Sequence, residues 1–134
     1  MVVIRTARGG GRFEEVGSYV RARRVGPFVF VAGTTAVEPS GKLHAPGDAY
    51  AQTHYILDRI DQALAEVGAS LSDIVRTRAF LSDMAAAGGG FIRAHGERFR
   101  GIEPVLTGVE AGLTVEGMMV EIEVDALLID QMET

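Results

Sequence analysis

The chain has 134 residues, a net charge of -5, and 47% hydrophobic against 23% charged side chains, which fits one folded domain over residues 1–134 and excludes a disordered chain. The acidic balance argues against a phosphate-backbone binder, so no nucleic-acid partner is expected. With no cysteine there is no disulfide, thiolate metal site or cysteine nucleophile, which fits a reducing compartment. The opening MVVIRTARGGG is too short and polar for a secretory signal, and no apolar run reaches membrane-spanning length. A soluble cytoplasmic protein with no membrane partner is the expectation. Lys42 is the only lysine among 13 basic residues, and this arginine excess carries no functional weight.

Residues 2–6 (VVIRT) form a short strand candidate, followed by a glycine-rich loop, RGGGR. Residues 18–26 (SYVRARRVG) alternate, with Tyr19, Arg21 and Arg23 on one side and Val20 and Ala22 on the other. PFVFVAG, 27–33, is a continuous apolar run bounded by Pro and Gly, as in a strand buried on both faces. A turn, EPSGK, follows. The clearest helix lies between Asp48, a plausible N-cap, and Gly68, placed for C′. Ala49, Thr53, Ile56, Leu57, Ile60, Ala63, Leu64 and Val67 recur on its apolar face, and Gln52, Tyr55, Arg59, Gln62 and Glu66 take the other.

A strand over 72–81 sets Val75, Thr77, Ala79 and Leu81 against Ile74, Arg76, Arg78 and Phe80. A second helix is expected from about 90 to 100, aligning Phe91, His95 and Phe99. Strands at 103–112 and 118–129 close the chain, giving the order β-β-β-α-β-α-β-β. In the last of these, Glu121, Glu123 and Asp125 share one face, and Val120, Ile122, Val124 and Ala126 the other. Like charges along one face repel, and the alternating arginines 21, 23, 76 and 78 are their candidate partners, each facing pair contributing about 0.2–1 kcal/mol. The sheet thus has one apolar face for the helices and one charged, tyrosine-bearing face that meets either water or further copies of the chain.

Familiar catalytic spacings are missing. His44, His54 and His95 form no metal-binding pair, and His95 on the apolar stripe reads as a core or interface residue. There is no nucleophile elbow and no phosphate-binding glycine motif. The GGG triplets at 9–11 and 88–90 read as flexible loops rather than anion nests.

Taken together, SYVRA, VGPFVFVAGTTAVEPSGKL, Gln52 in the first helix, LAEVGASLSDIVRTRAFLSDM, HGERF, EP and MVEIEVDA resemble the RidA (YjgF-type) family of imine/enamine deaminases, from about Tyr19 to Ala126. The resemblance implies a chorismate-mutase-like α+β fold: a mixed six-stranded sheet with two helices on one face, assembled as a homotrimer with a small-molecule cleft between subunits. It implies no cofactor and no metal. The implied reaction adds water to a reactive imine or enamine and releases ammonia. Glu121 would position or activate the water, Tyr19 would wall the pocket, the backbone of Gly33 would line it, and Thr107 would offer a hydroxyl and an amide.

The sequence departs from that pattern in places that bear on substrate. Active relatives read roughly P-x-R-[SCT], the arginine gripping a substrate carboxylate; here EPVLT puts Leu106 in its place. Losing such a charge pair costs about 2–5 kcal/mol, enough to remove useful turnover on 2-imino acids. Ala32 stands where a serine often precedes the pocket glycine, and GGGFIRAHG offers no counterpart to an asparagine early in the second helix. An arginine from elsewhere, such as Arg21, Arg23 or Arg100, is one remedy. A ligand neutral or apolar at that end, packed on Leu106, is the expectation, because no spacing sets a guanidinium beside Leu106. The alternative is a non-catalytic trimer that binds a small molecule or partner. Ribonuclease activity, ascribed to some relatives, gains no support from the acidic balance or the scattered histidines.

Overall fold

The computed structural model describes residues 1–131; residues 132–134 of the expected domain lie outside the described residues. Strands β1 (Ile4–Ala7), β2 (Ala22–Val25), β3 (Phe28–Thr35), β4 (Ile74–Leu81), β5 (Val105–Glu110) and β6 (Val120–Leu127) alternate with helices α1 (Arg12–Gly17), α2 (Ala49–Glu66) and α3 (Met84–Phe99). They build one six-stranded sheet in the order β1-β2-β3-β6-β4-β5. Neighbours are antiparallel except β4 and β5, which run parallel and are joined through α3. This is the expected mixed α+β architecture and element order, with α1 added.

The pattern of β6 dictates its place at the centre. Val120, Ile122 and Val124 are fully buried and Ala126 nearly so, while Glu121, Glu123 and Asp125 take the opposite face. Asp125 accepts from Arg78 Nη2 at 3.1 Å and lies 3.9 Å from Arg76 Nε. Helix α2 covers the apolar face with Ile56, Leu57, Ile60 and Leu64, all fully buried, each contributing about 1.5–3 kcal/mol. Its ends are as read: the Asp48 side chain accepts from Ala51 N at 3.0 Å, and Gly68 follows with φ 87°. His95 is buried against Thr77 Oγ1 at 2.8 Å, a satisfied core histidine.

Several local expectations are corrected. β3 is not buried on both faces: Val29 and Val31 face the core, but Phe28 and Phe30 are 52% and 50% exposed on the face away from the helices. An apolar run cannot reveal that its second face lacks cover within one chain. In β4 a register shift between Ile74 and Arg76 turns Ile74 inward and Val75 outward. Gln52 is fully buried rather than solvent-facing: its amide donates to Ala45 O and Gly117 O at 3.0 and 2.8 Å and accepts from Met119 N at 2.8 Å.

Helix α3 begins at Met84, so Gly88, Gly89 and Gly90 are helical and not a loop. The Asp83 carboxylate starts it, accepting from Ala85 N and Ala86 N at 3.1 and 3.3 Å. A Cβ on Gly90 would stand 2.9 Å from Tyr50 N, so glycine there lets α3 approach the backbone of α2. The loop ahead of β2 folds into α1, with Glu14 accepting from Gly9 N at 3.0 Å, and Ser18 at φ 58° ends that helix. β2 therefore begins at Ala22, not at residue 18.

Candidate active site

Glu121 is set by three strands. On β6 it is the register partner of Thr35 on β3 and Phe80 on β4. β3 is irregular between Val31 and Thr34, which brings Gly33 under the carboxylate. A Cβ on Gly33 would lie 2.6 Å from Glu121 Oε2, so only glycine leaves the acid room to lie there. Burial pushes the Glu121 carboxyl above the ordinary carboxylate range; Arg21 pulls it down and Glu123 pushes it further up. A half-buried carboxylate with raised basicity is equipped to hold a water and take its proton.

Arg21 is the third party. Its Nη1 donates to Gly33 O at 3.0 Å, its Nε lies 3.6 Å from Glu14 Oε2, and its guanidinium carbon stands 6.0 Å from the Tyr19 ring centre. Tyr19 is 44% exposed. It borders a depression on the charged face together with Arg23, Phe30, Glu123 and Asp125. One chain thus gathers Tyr19, Gly33 and Glu121 around Arg21. The alternation in SYVRARR was the sequence signal for Arg21, but nothing in it fixed which acid the guanidinium would meet.

Leu106 and Thr107 stand apart. β4 separates β5 from β6, so they lie about 10 Å from the β6 backbone at two strand spacings. Thr107 pairs with Arg78, whose other register partner is Glu123, so it shares the charged face. Leu106 pairs with Thr77, whose side chain bonds His95 of α3, and therefore takes the helix-covered face. Leu106 and Glu121 occupy opposite faces of one protomer's sheet, and Arg21, one candidate substitute for the arginine, meets Gly33 and Glu14 instead.

His44 is held by Glu38 at 3.1 Å and stacks on Tyr55, and His54 is held by Glu97 at 3.0 Å. Among the described residues no three metal-binding side chains converge, and no helix is long and apolar enough to cross a membrane.

A mixed sheet with helices on one face, and a half-buried acid folded onto a strand glycine on the other, defines a small α+β class. The chain belongs to the endoribonuclease L-PSP family, also called the YjgF or Rid family; the family model matches residues 10–128. It is 35% identical over 127 residues to SCO2049 of Streptomyces coelicolor, covering 92% of this chain and 91% of that protein. To the 3-aminoacrylate deaminase RutC of Acinetobacter baylyi it is 30% identical over 104 residues, covering 78% and 82%. Its fold is similar to that of Rv2704 from Mycobacterium tuberculosis, a member of the YjgF/YER057c/UK114 family, at a TM-score of 0.82 and 38% identity over 93% of this chain and 99% of that one. Yeast Mmf1 is similar at a TM-score of 0.77 and 25% identity, over 94% and 95%. The family read from the sequence is the family these comparisons give.

Proposed function

We propose that this chain hydrolyses a reactive imine or enamine that lacks the carboxylate usual for the family. The observation that carries the reading is Glu121, half-buried on Gly33 with its pKa raised by burial. Glu121 takes a proton from water as the oxygen bonds to the C=N carbon, and the nitrogen takes up a proton. The carbinolamine then collapses to a carbonyl: its nitrogen takes the proton Glu121 returns, the C–N bond breaks as ammonia leaves, and the hydroxyl proton is lost to solvent, balancing the one the nitrogen took up. An enamine enters the same path once protonated at carbon. The name of the Acinetobacter relative, a deaminase of 3-aminoacrylate, supports the C–N chemistry. Leu106 in the arginine position supports the altered substrate.

The reading places the pocket between copies, in a homotrimer in the cytoplasm. Glu121 and Leu106 lie on opposite faces within one chain, so a cleft holding both takes one from each of two copies. Phe28, Phe30, Val105 and Val109, exposed on the face away from the helices, supply apolar surface for such a contact. Tyr19, Gly33 and Glu121 would come from one copy and Leu106 from its neighbour; Thr107 lies on the opposite face of β5 from Leu106.

The test is ammonia release from a neutral enamine and from a 2-imino acid, by wild type and by Glu121→Ala. We expect turnover of the neutral substrate, reduced about 10²–10⁴-fold by the substitution. Equal rates for the two proteins on every substrate would sink the reading. Leu106 and Ala32 favour a second one, a trimer that binds a small molecule without turning it over. It predicts ligand-induced thermal shifts without ammonia release.

A further inference from the structure

Two side chains rest on Gly33 from different sides. The Glu121 carboxylate occupies the space where a Cβ would stand, and Arg21 Nη1 donates to the carbonyl at 3.0 Å. A two-pronged ion pair would be the strong arrangement for two such groups. Arg21 pairs with Glu14 of α1 instead, its Nε lying 3.6 Å from Oε2. We propose that Glu14 is a positioning residue for Glu121: it holds Arg21 on the carbonyl side of Gly33 and so leaves Glu121 free to take a proton, a role that rests on the hydrolytic reading of that acid.

The N-terminal segment builds the hold. Glu14 Oε1 accepts from Gly9 N at 3.0 Å and Oε2 from Gly11 N at 3.4 Å, so both oxygens are tied to the loop as well as to Arg21. Little of the pair meets water: the Glu14 and Arg21 side chains are 11% and 17% exposed. A Cβ on Gly9 would stand 2.6 Å from both Glu14 Oε2 and Arg21 Cγ. Glycine there lets the loop lie over the two side chains, which gives the RGGGR segment a role beyond flexibility. β2 pairs with β3 only over Phe28 to Val31, which leaves Gly33 O to Arg21, while Arg59 of α2 donates to Thr35 O.

The surrounding charges make Arg21 the group to restrain. Burial raises the Glu121 carboxyl, Arg21 pulls it down, and Glu123 on the same strand pushes it up. β4 and β3 place the uncharged Phe80 and Thr35 beside it. Arg59 faces the Arg21–Glu14 pair from α2, lowered by burial first and then by Arg21, with Tyr55 and Glu14 acting the other way. The Tyr19 ring centre lies 6.0 Å from the Arg21 guanidinium carbon. Without the Glu14 charge, the guanidinium turns to Glu121, and an acid paired with arginine holds a proton less well. A weaker base draws less on the attacking water.

The experiment follows the Glu121 side-chain carboxyl against pH by carbon-13 nuclear magnetic resonance of the full chain, its signal assigned by its loss in Glu121→Gln. We expect the midpoint to move to lower pH in Glu14→Gln and to higher pH in Arg21→Gln. In the double variant it should match Arg21→Gln alone, because Glu14 acts through that arginine. Gly9→Ala parts the pair with a Cβ rather than by removing a charge. It should shift the midpoint in the same direction as Glu14→Gln, which keeps the test decisive where Glu14→Gln misfolds. The acid limb of ammonia release should follow the same midpoints. A midpoint unmoved by Glu14→Gln and Gly9→Ala, or lowered as far by Glu14→Gln when Arg21 is already replaced, would overturn the proposal. The titration needs no turnover, so a wild type that releases no ammonia overturns the hydrolytic reading, whereas an active protein with an unmoved midpoint overturns only the role of Glu14.

Discussion

Glu121 is held above the ordinary carboxylate range chiefly by its burial, so its ionised form costs the folded state free energy. The sign follows from linkage. A carboxyl whose folded pKa is raised favours folding below the unfolded value of about 4.3 and loses that contribution as pH rises through the folded value. Glu121→Gln, neutral at every pH, should therefore be more stable than wild type at pH 7, the difference vanishing at pH 4 and below. Urea denaturation at the two pH values reads this directly; a variant less stable at pH 7 contradicts it. Gly33 separates stability from chemistry at the same spot. In Gly33→Ala the new Cβ meets the free end of the Glu121 side chain, which swings aside, so stability should change by less than about 1 kcal/mol. Turnover should fall about 10²-fold because the carboxylate has moved from its water. Equal activity in Gly33→Ala and wild type would show that the contact with Gly33 does not set the chemistry.

Helix α3 carries a paired test of packing. Gly90→Ala drives a Cβ against Tyr50 N, a backbone atom that cannot swing away, and should cost about 1–3 kcal/mol. Gly89 has nothing within 4 Å of its Cβ position, so Gly89→Ala should gain about 0.5–1 kcal/mol from helix propensity alone. Denaturant midpoints of the two variants should move in opposite directions. The same residues show what local sequence withholds. A glycine triplet reads as a loop because propensity is local, while the closeness of α2 that requires Gly90 is tertiary. Gln52 sits on the polar side of its helical stripe, yet the backbone at Ala45, Gly117 and Met119 folds over it and buries it. Where period and capping decide the outcome, in β6 and at both ends of α2, the sequence read correctly.

At the scale of the whole molecule, the charged face and the exposed Phe28 and Phe30 belong to one question: what covers the sheet opposite the helices. Membership of the family was legible in the order of its short motifs. The separation of Leu106 from Glu121 was not, because it depends on the parallel register of β5 against β4, which no motif spells out. That separation makes the shared cleft the central claim, and mixed oligomers test it most directly. Glu121→Ala and Leu106→Asp would be purified separately, refolded together, and checked for mixing by native mass. If each cleft draws Glu121 from one copy and residue 106 from the next, random mixing restores both partners in about a quarter of the clefts. The account predicts two inactive parents that regain about that fraction of wild-type ammonia release when mixed. Verified mixed oligomers no more active than their parents would contradict it.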